Sequence, residues 1–164
     1  MITLQPMPLT RERFAPYGDV IEALPERTAP MNTARFERFD DLCRVETDAD
    51  GHVSISIARC RIVTTLPYRF DTVERHPHGS QAFVPLDGSR FVVVVAPPSA
   101  VVDVADLAAF VTNGRQGVNY HRGTWHLPLI GFSTGQKFLV IDRAGGTPNC
   151  DEHSLDEPVL LAAI

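Results

Sequence analysis

The alternation of apolar and polar side chains along residues 53–63 constrains the fold of this chain most. Val53, Ile55 and Ile57 are separated by serines, and a period of two is typical of a β-strand with one solvent-facing side. Residues 90–96 add a nearly continuous apolar run that ends at a pair of prolines. Many such short segments, bounded by glycine and proline, predict a mainly β fold: an antiparallel barrel or sandwich with a few short helices.

Further strands are expected where apolar residues stand between turn signals. The Asp87-Gly88 dipeptide is typical of a β-hairpin, so we expect the segments on its two sides to pair with each other. The remaining predicted strands cover residues 70–76, 81–86, 125–132, 137–142 and 157–164.

Three segments show helical features. Residues 10–15 follow Thr10, which suits the N-cap position, and precede a proline. Residues 103–111 carry an apolar stripe at helical spacing behind Asp103, and residues 32–42 show a shorter stripe of the same kind. These segments predict the helices of the fold.

Length and composition favour an ordinary globular protein. The chain has 164 residues, 44% of them apolar and 21% charged, which suits a single domain over residues 1–164. A net charge of -5 offers no basic surface for a phosphate backbone, so nucleic acid is not an expected partner.

The cysteines and the apolar runs bear on the location of the protein. Three cysteines without C-x-x-C spacing suggest neither a disulfide framework nor a structural zinc site, which favours a reducing cytoplasm. The N-terminus lacks the features of a signal peptide, and every apolar run is far shorter than the roughly 20 residues that cross a bilayer. No membrane association is expected.

The densest polar chemistry lies in residues 74–86. His76 and His78 are two positions apart, so in an extended chain their imidazoles share a face, as paired metal ligands or an acid/base pair would. Gln81 follows at the start of an apolar strand and must find a partner if it points inward. This segment predicts one wall of a site.

A second concentration of polar chemistry lies in residues 117–129. His121 and His126 flank a glycine turn, so four of the six histidines fall in two strand-linked segments. If the fold brings both segments to one hollow, it forms a small-molecule site. Each residue also has an ordinary structural interpretation: Arg75 and Arg122 as surface ion-pair partners, Phe83 and Trp125 as core aromatics.

Several strings, taken in order, resemble the ureidoglycolate lyase family, whose members act in bacterial allantoin and purine degradation. The resemblance runs nearly from end to end and rests on the segments at residues 14–21, 74–77, 81–85, 110–114, 117–122, 125–126 and 149–151. It implies a cupin-like β barrel, usually a homodimer, that cleaves (S)-ureidoglycolate to glyoxylate and urea. It also implies a divalent metal, with nickel attributed to the family, which His76, His121 and His126 are the candidates to bind.

The general cupin metal motif is met only in part. His76-Pro77-His78 supplies the His-x-His element, but Gln81 stands where a cupin has an acidic ligand, and it follows after only two residues. A complete cupin metal set, as an isomerase or dioxygenase would need, is therefore not expected.

Cleavage of a carbinolamide requires removal of a hydroxyl proton, protonation of the departing nitrogen and a cation for the carboxylate. The expected catalytic residues are His76 or His121 as base or metal ligand, and His126 as acid. Arg75 or Arg122 would bind the carboxylate, Gln81 and Asn119 the ureido end, and Phe83 and Trp125 the wall of the pocket. Two alternatives stay open: an amidohydrolase that releases ammonia from the same substrate, and a non-catalytic cupin-like module that binds a small organic acid.

Overall fold

Strands dominate the computed structural model, which describes residues 2–164. With 47% of residues in strands and 6% in helices, the expected mainly β, cupin-like fold is confirmed. Along the chain the elements are β1 (Ile2–Leu4), β2 (Met7–Pro8), α1 (Arg11–Phe14), β3 (Gly18–Ile21), a 3-10 turn (Pro25–Arg27), β4 (Thr28–Met31), β5 (Phe36–Phe39), β6 (Gly51–Arg59), β7 (Tyr68–Arg75), β8 (Gln81–Pro85), β9 (Val92–Ala96), a second 3-10 turn (Val104–Asp106), β10 (Ala108–Val111), β11 (Gly117–Tyr120), β12 (Trp125–His126), β13 (Lys137–Gly145) and β14 (Asp151–Leu161).

The strands form two large sheets and a separate hairpin. The seven-stranded sheet has the order β1-β14-β7-β12-β9-β10-β2, the five-stranded sheet has the order β3-β11-β8-β13-β6, and β4 pairs with β5. Neighbours are antiparallel except at the two edges of the larger sheet, where β1 runs parallel to β14 and β2 parallel to β10. No helix of the described residues is long and apolar enough to cross a membrane.

β9 lies at the centre of the hydrophobic packing because both of its faces are buried. Val93 and Val95 belong to the cluster between the two sheets, together with Phe83 of β8. Val94, on the opposite face, belongs to a second cluster that includes Trp125. A strand buried on both faces reads as a continuous apolar run, and this explains the sequence of residues 90–96.

The helix predicted for residues 103–111 is wrong. Asp103 does cap a turn, and its capping box with Asp106 is complete, but the turn is a single 3-10 turn and β10 follows it. Ala109 packs in the cluster around Trp125, whereas Phe110 packs in the cluster between the sheets. Because β10 carries apolar residues on both faces, its sequence resembles the apolar stripe of a helix.

Two further local predictions are wrong. Residues 32–42 contain β5 instead of a helix, within the exposed β4–β5 hairpin. The chain does bend at Asp87, and Gly88 has φ 72°, but the segment does not close a hairpin, because β8 and β9 belong to different sheets. The Asp87 side chain instead accepts hydrogen bonds from the Ser89 and Lys137 backbone N–H groups.

The short helix after Thr10 is confirmed: the Thr10 hydroxyl accepts a hydrogen bond from the Arg13 N–H.

β6 has an unexpected solvent-facing side. It is the outermost strand of the five-stranded sheet, and among the described strands it pairs only with β13. Its alternation is real, but the apolar residues Val53, Ile55 and Ile57 are the exposed ones, at 50%, 69% and 58% of their surface. The strand therefore presents an apolar row to its surroundings.

Candidate active site

His76 and His126 meet between neighbouring strands. His126 lies in β12 directly opposite Glu74 of β7, so the two side chains share a face of the sheet. His76 follows β7 two residues after Glu74 and extends the same row. The centroids of the two imidazoles are 5.1 Å apart, so the fold brings one predicted histidine from each polar segment to one place.

Backbone carbonyl groups fix the orientation of both imidazoles. Nδ1 of His126 lies 3.0 Å from the Thr124 oxygen, and Nδ1 of His76 lies 2.6 Å from the Asn149 oxygen. A carbonyl oxygen only accepts hydrogen bonds, so Nδ1 carries the proton in each ring and Nε2 is left with a lone pair in the neutral form. This arrangement is typical of histidines that bind a metal or accept a proton through Nε2.

Each Nε2 atom faces another acceptor. His126 Nε2 is buried, forms no hydrogen bond and lies 3.4 Å from Glu74 Oε1. His76 Nε2 lies 3.0 Å from Gln81 Oε1, whose amide is oriented by a 3.4 Å hydrogen bond from its Nε2 to Asp142. Two acceptors in contact repel each other, so a proton or a cation is needed at this cluster.

The electrostatics keep Glu74 negative and His126 neutral. The adjacent His126 ring, when it carries a proton on Nε2, lowers the pKa of Glu74 below its ordinary value, although burial acts in the opposite direction. Burial lowers the pKa of His126, and this outweighs the attraction of Glu74 for the protonated ring. At neutral pH the pair therefore consists of a carboxylate and an unprotonated imidazole.

Tyr120 forms the apolar side of the cluster. Its ring stacks on His126 with centroids 4.4 Å apart and an interplanar angle of 27°. Burial raises the pKa of the Tyr120 phenol, and the charge of Glu74 raises it further. The phenol therefore stays protonated, and the stacked ring keeps water away from one face of His126.

A cavity of about 450 Å³ adjoins the histidine pair. His76, Gln81 and Asp142 line one side of it, and the end of β13 and the loop of residues 146–150 line the other. The loop is held against the cavity by Asn149, whose Oδ1 accepts a 2.7 Å hydrogen bond from the His78 N–H while its carbonyl oxygen binds His76. The volume suits a small organic molecule in contact with His76.

Arg143 is the cation in the wall of this cavity. Its side chain is only 1% exposed, and its guanidinium binds both carboxylate oxygens of Asp48, at 2.9 and 3.3 Å. It also donates to the Thr147 carbonyl oxygen at 2.7 Å, which anchors the loop a second time. A Cβ on Gly79 would lie 2.6 Å from the Arg143 Cβ, so glycine at this position makes room for the arginine.

The predicted metal can be tested against these residues. Ligand atoms of Glu74, His76 and His126 lie within 4.8 Å of one another, and the unpartnered Nε2 of His126 is among the few buried polar atoms without a hydrogen bond in the described chain. Two imidazole nitrogens and a carboxylate suit a divalent transition metal, so the residues fit such an ion. Glu74 takes the place that the sequence assigned to His121.

His121 and Asn119 lie elsewhere. His121 Nε2 lies 3.2 Å from Asp19 Oδ1, and the buried Asn119 amide donates to Asp19 Oδ2 and to the Arg44 carbonyl oxygen. Val118 and Tyr120 of the same strand pack between the sheets, so Asn119 points to the opposite face. The strand thus separates these two residues from the histidine pair.

The two predicted carboxylate-binding arginines are also outside the cavity. Arg75 lies 4.6 Å over the Trp125 ring and pairs with Asp151 at 3.0 Å, on the face of β7 that points away from Glu74. Arg122 is exposed and donates to the Thr47 carbonyl oxygen at 3.1 Å. Phe83 is a core residue, packed edge-on against Tyr120 with centroids 6.0 Å apart.

Several residues at the site had no role in the sequence interpretation. The signal for Glu74 was available, because a residue two positions before His76 shares its face in an extended chain. No comparable signal marks Asn149, Asp142 or Arg143, since they approach the cavity only through pairing of β13 with β8 and through the loop that follows β13.

Comparison with known proteins gives a consistent result. A family model described as ureidoglycolate lyase matches residues 1–162. A Pseudomonas aeruginosa protein named ureidoglycolate lyase is 47% identical over 164 residues, covering 98% of this chain and 96% of that protein. Proteins of the same name from Pseudomonas syringae pv. tomato and Pseudomonas fluorescens are 46% and 47% identical, and the alignments cover 96% and 99% of this chain.

Proposed function

Because the chain belongs to the ureidoglycolate lyase family, we propose that it cleaves (S)-ureidoglycolate to glyoxylate and urea within allantoin and purine degradation. The observation that carries the proposal is the pair of oriented imidazoles, His76 and His126, beside Glu74 and next to a cavity of substrate size. We also propose that residues 1–164 form a single domain with this function.

The reaction moves one proton from oxygen to nitrogen. The hydroxyl O–H and the C–N bond of the carbinolamide break, while a C=O bond and a new N–H bond form, so nothing is oxidised or reduced. A single group that accepts and then returns the proton is sufficient.

We assign this shuttle to His76, which lines the cavity. Its Nε2 lone pair accepts the hydroxyl proton, and Gln81 Oε1, 3.0 Å away, then accepts a hydrogen bond from the new N–H group. His76 returns the proton to the departing urea nitrogen. His126 was the expected acid, but its Nδ1–H is bound to Thr124 and burial keeps Nε2 unprotonated, so we assign it a role behind His76.

The rest of the cavity suits the ureido end of the substrate. Gln81 and Asp142 offer oxygen acceptors to the ureido N–H groups. Arg143 does not take the place of the expected Arg75 or Arg122 as the group that binds the substrate carboxylate, because its guanidinium is already bound by Asp48 and the Thr147 carbonyl oxygen.

A divalent ion, nickel by family resemblance, would be held by Glu74, His76 and His126. Such an ion would supply a positive charge that makes the substrate hydroxyl group more acidic. It would also occupy the Nε2 lone pair of His76, so an enzyme that needs the ion does not use His76 as its base. A chelator therefore distinguishes the two ways of activating the hydroxyl.

The decisive experiment incubates the purified protein with racemic ureidoglycolate and follows glyoxylate, urea and ammonia, with and without a chelator. We expect equal amounts of glyoxylate and urea, and His76→Ala should lower kcat by about 100-fold or more. His153→Ala is the matched control, because His153 packs on Trp125, away from the cavity. Release of ammonia without urea, or normal turnover by His76→Ala, would contradict the proposal.

We further propose that the protein is a homodimer formed through β6. The strand leaves a nine-residue sheet edge unpaired, beside the exposed row of Val53, Ile55 and Ile57. An edge of this kind invites pairing with another strand, and a second β6 related by a twofold axis provides one. Light scattering should give twice the chain mass, and Ile55→Lys should give the monomer. Ile62→Lys, at an 88% exposed position beyond the strand, is the control, and a monomeric native protein would refute the dimer.

A cytoplasmic location is proposed on the state of the cysteines. Cys43, Cys60 and Cys150 are all free, as expected in a reducing compartment. Fractionation of cells that produce the protein at its natural level tests this location.

A further inference from the structure

A second cavity, of about 480 Å³, lies on the face of the five-stranded sheet that points away from the histidine pair. Asp19 of β3 and His121 after β11 form part of its wall. Arg11 of α1 closes one side, and Cys43 and Arg44 of the segment before β6 close another. None of these residues lines the cavity beside His76.

Asp19 holds His121 in a defined orientation. Its Oδ1 lies 3.2 Å from His121 Nε2, while its Oδ2 accepts hydrogen bonds of 3.0 Å from both the Asn119 amide and the Arg44 N–H. Burial raises the pKa of Asp19, but these hydrogen bonds outweigh it and leave the pKa below its ordinary value. Asp19 is therefore a carboxylate that accepts the Nε2–H of His121, so in the neutral ring the lone pair is on Nδ1.

Unpartnered buried atoms concentrate around this cavity. Among the side chains of the described residues, only three buried nitrogen or oxygen atoms lack a hydrogen bond: Arg11 Nε, Asn119 Oδ1 and His126 Nε2. The last belongs to the histidine pair. Arg11 lines the second cavity, and the fully buried Asn119 lies behind its Asp19 and Arg44 wall. Buried polar groups without partners are uncommon and indicate a missing water, ion or ligand.

The chemistry of the wall selects the ligand. Arg11 Nε lies 3.7 Å from Glu22 Oε1, which is too far for a hydrogen bond, so its N–H still has room for an acceptor. An anionic oxygen is the strongest acceptor for a guanidinium. His121 Nδ1 needs an O–H or N–H donor on the same molecule. We propose that this cavity is a second binding site, for a small carboxylate that also bears a hydroxyl or ureido group. The site lies across β11 from Tyr120 and His126 and does not depend on the reaction proposed above.

Alkylation of Cys43 tests the proposal, because this thiol lines the cavity. The full-length protein is treated with iodoacetamide at alkaline pH, with glycolate or ureidoacetate as the probe, and labelling is followed by mass spectrometry. Cys60, which lies in the wall of a different cavity, is the internal control. We expect a probe to slow alkylation of Cys43 and to leave Cys60 unchanged, in the native protein and in His76→Ala alike.

Variants of the wall complete the test. Arg11→Ala and, independently, His121→Ala should raise the probe concentration needed for protection at least about tenfold, the loss expected for one charge-assisted hydrogen bond. Arg13→Ala changes an exposed arginine of the same helix outside the cavity and should protect as the native protein does. Equal labelling of Cys43 with and without both probes, equal slowing of Cys43 and Cys60, or unchanged protection in both wall variants would overturn the second site. The difference between glycolate and ureidoacetate reports which group His121 recognises.

Discussion

Replacement of Asn149 by alanine should separate the stability of the protein from its activity. The side chain of Asn149 makes one hydrogen bond, accepted from the His78 N–H at 2.7 Å, and its carbonyl oxygen orients His76 through Nδ1 at 2.6 Å. Alanine removes the first bond and allows the end of the loop of residues 146–150, beyond the Arg143 contact at Thr147, to carry the carbonyl group away from His76. The substitution therefore acts on the catalytic imidazole without touching it.

The two effects have different sizes. Loss of one neutral hydrogen bond lowers the free energy of unfolding by about 1 kcal/mol. For a chain of this length that is a drop in Tm of about 2–4 °C. Loss of a group that orients a catalytic or metal-binding histidine lowers activity by about 10–100-fold. The turnover number should therefore fall far more than the stability accounts for.

Steady-state urea release and calorimetry measure the two quantities on the same samples. Asn149→Asp keeps an acceptor for the His78 N–H and should recover most of the turnover. Asn113→Ala is the matched control, since Asn113 Oδ1 accepts a comparable 2.9 Å hydrogen bond from the Arg115 N–H far along the chain from His76. The reasoning is refuted if Asn149→Ala lowers Tm as predicted but turns over normally, or if Asn113→Ala loses as much activity.

Three further predictions follow from the same site. The protein should lose stability as the pH falls below 6.5 and again below 4.5, the ordinary pKa values of His126 and Glu74, because both pKa values are lowered in the folded state and the unfolded chain takes up protons first. Each group should lower the free energy of unfolding by at most about 1.4 kcal/mol per pH unit, measured by urea unfolding, and a free energy that rises on acidification would contradict the prediction. Arg143→Met should lower the free energy of unfolding in urea-unfolding experiments, because it removes the hydrogen bonds of the buried guanidinium to Asp48 and to the Thr147 carbonyl oxygen, whereas Arg143→Met combined with Asp48→Asn should recover part of the loss. Cys150 should react slowly with iodoacetamide at pH 8 despite its exposure, because burial of the thiol group and the charge of Glu74 raise its pKa to about 11, and rapid labelling would contradict this.

The fold class could be predicted because the local alternation of apolar and polar side chains indicates strands. What the alternation cannot show is which face of a strand meets a neighbour. In β6 the apolar row of Val53, Ile55 and Ile57 looks toward solvent, and in residues 103–111 burial on both faces produced a helical stripe. The partners of β8 and β9 could not be predicted either, since the Asp87-Gly88 segment is a bend where the chain passes from one sheet to the other.

The candidate site was predictable only in part. His76, Gln81 and His126 stand in extended segments whose pairing brings them together, so their residue types and positions were informative. The strand β11 shows why the rest was not: Tyr120 points to the histidine pair, whereas His121 is bound by Asp19 on the other side. Adjacent residues of one polar segment thus belong to two different sites, and only the register of the sheet decides which is which.

The parallel pairing of β1 with β14 has a mechanical consequence. Ile2 lies beside Val159 and Leu4 beside Leu161, and the Ala162 N–H continues the contact with the Leu4 carbonyl oxygen. Tension applied between residues 2 and 164 pulls these two strands past each other along their length. Their hydrogen bonds then carry the load together instead of opening one after another, so the protein should resist stretching through its ends more strongly than through the exposed β4–β5 hairpin.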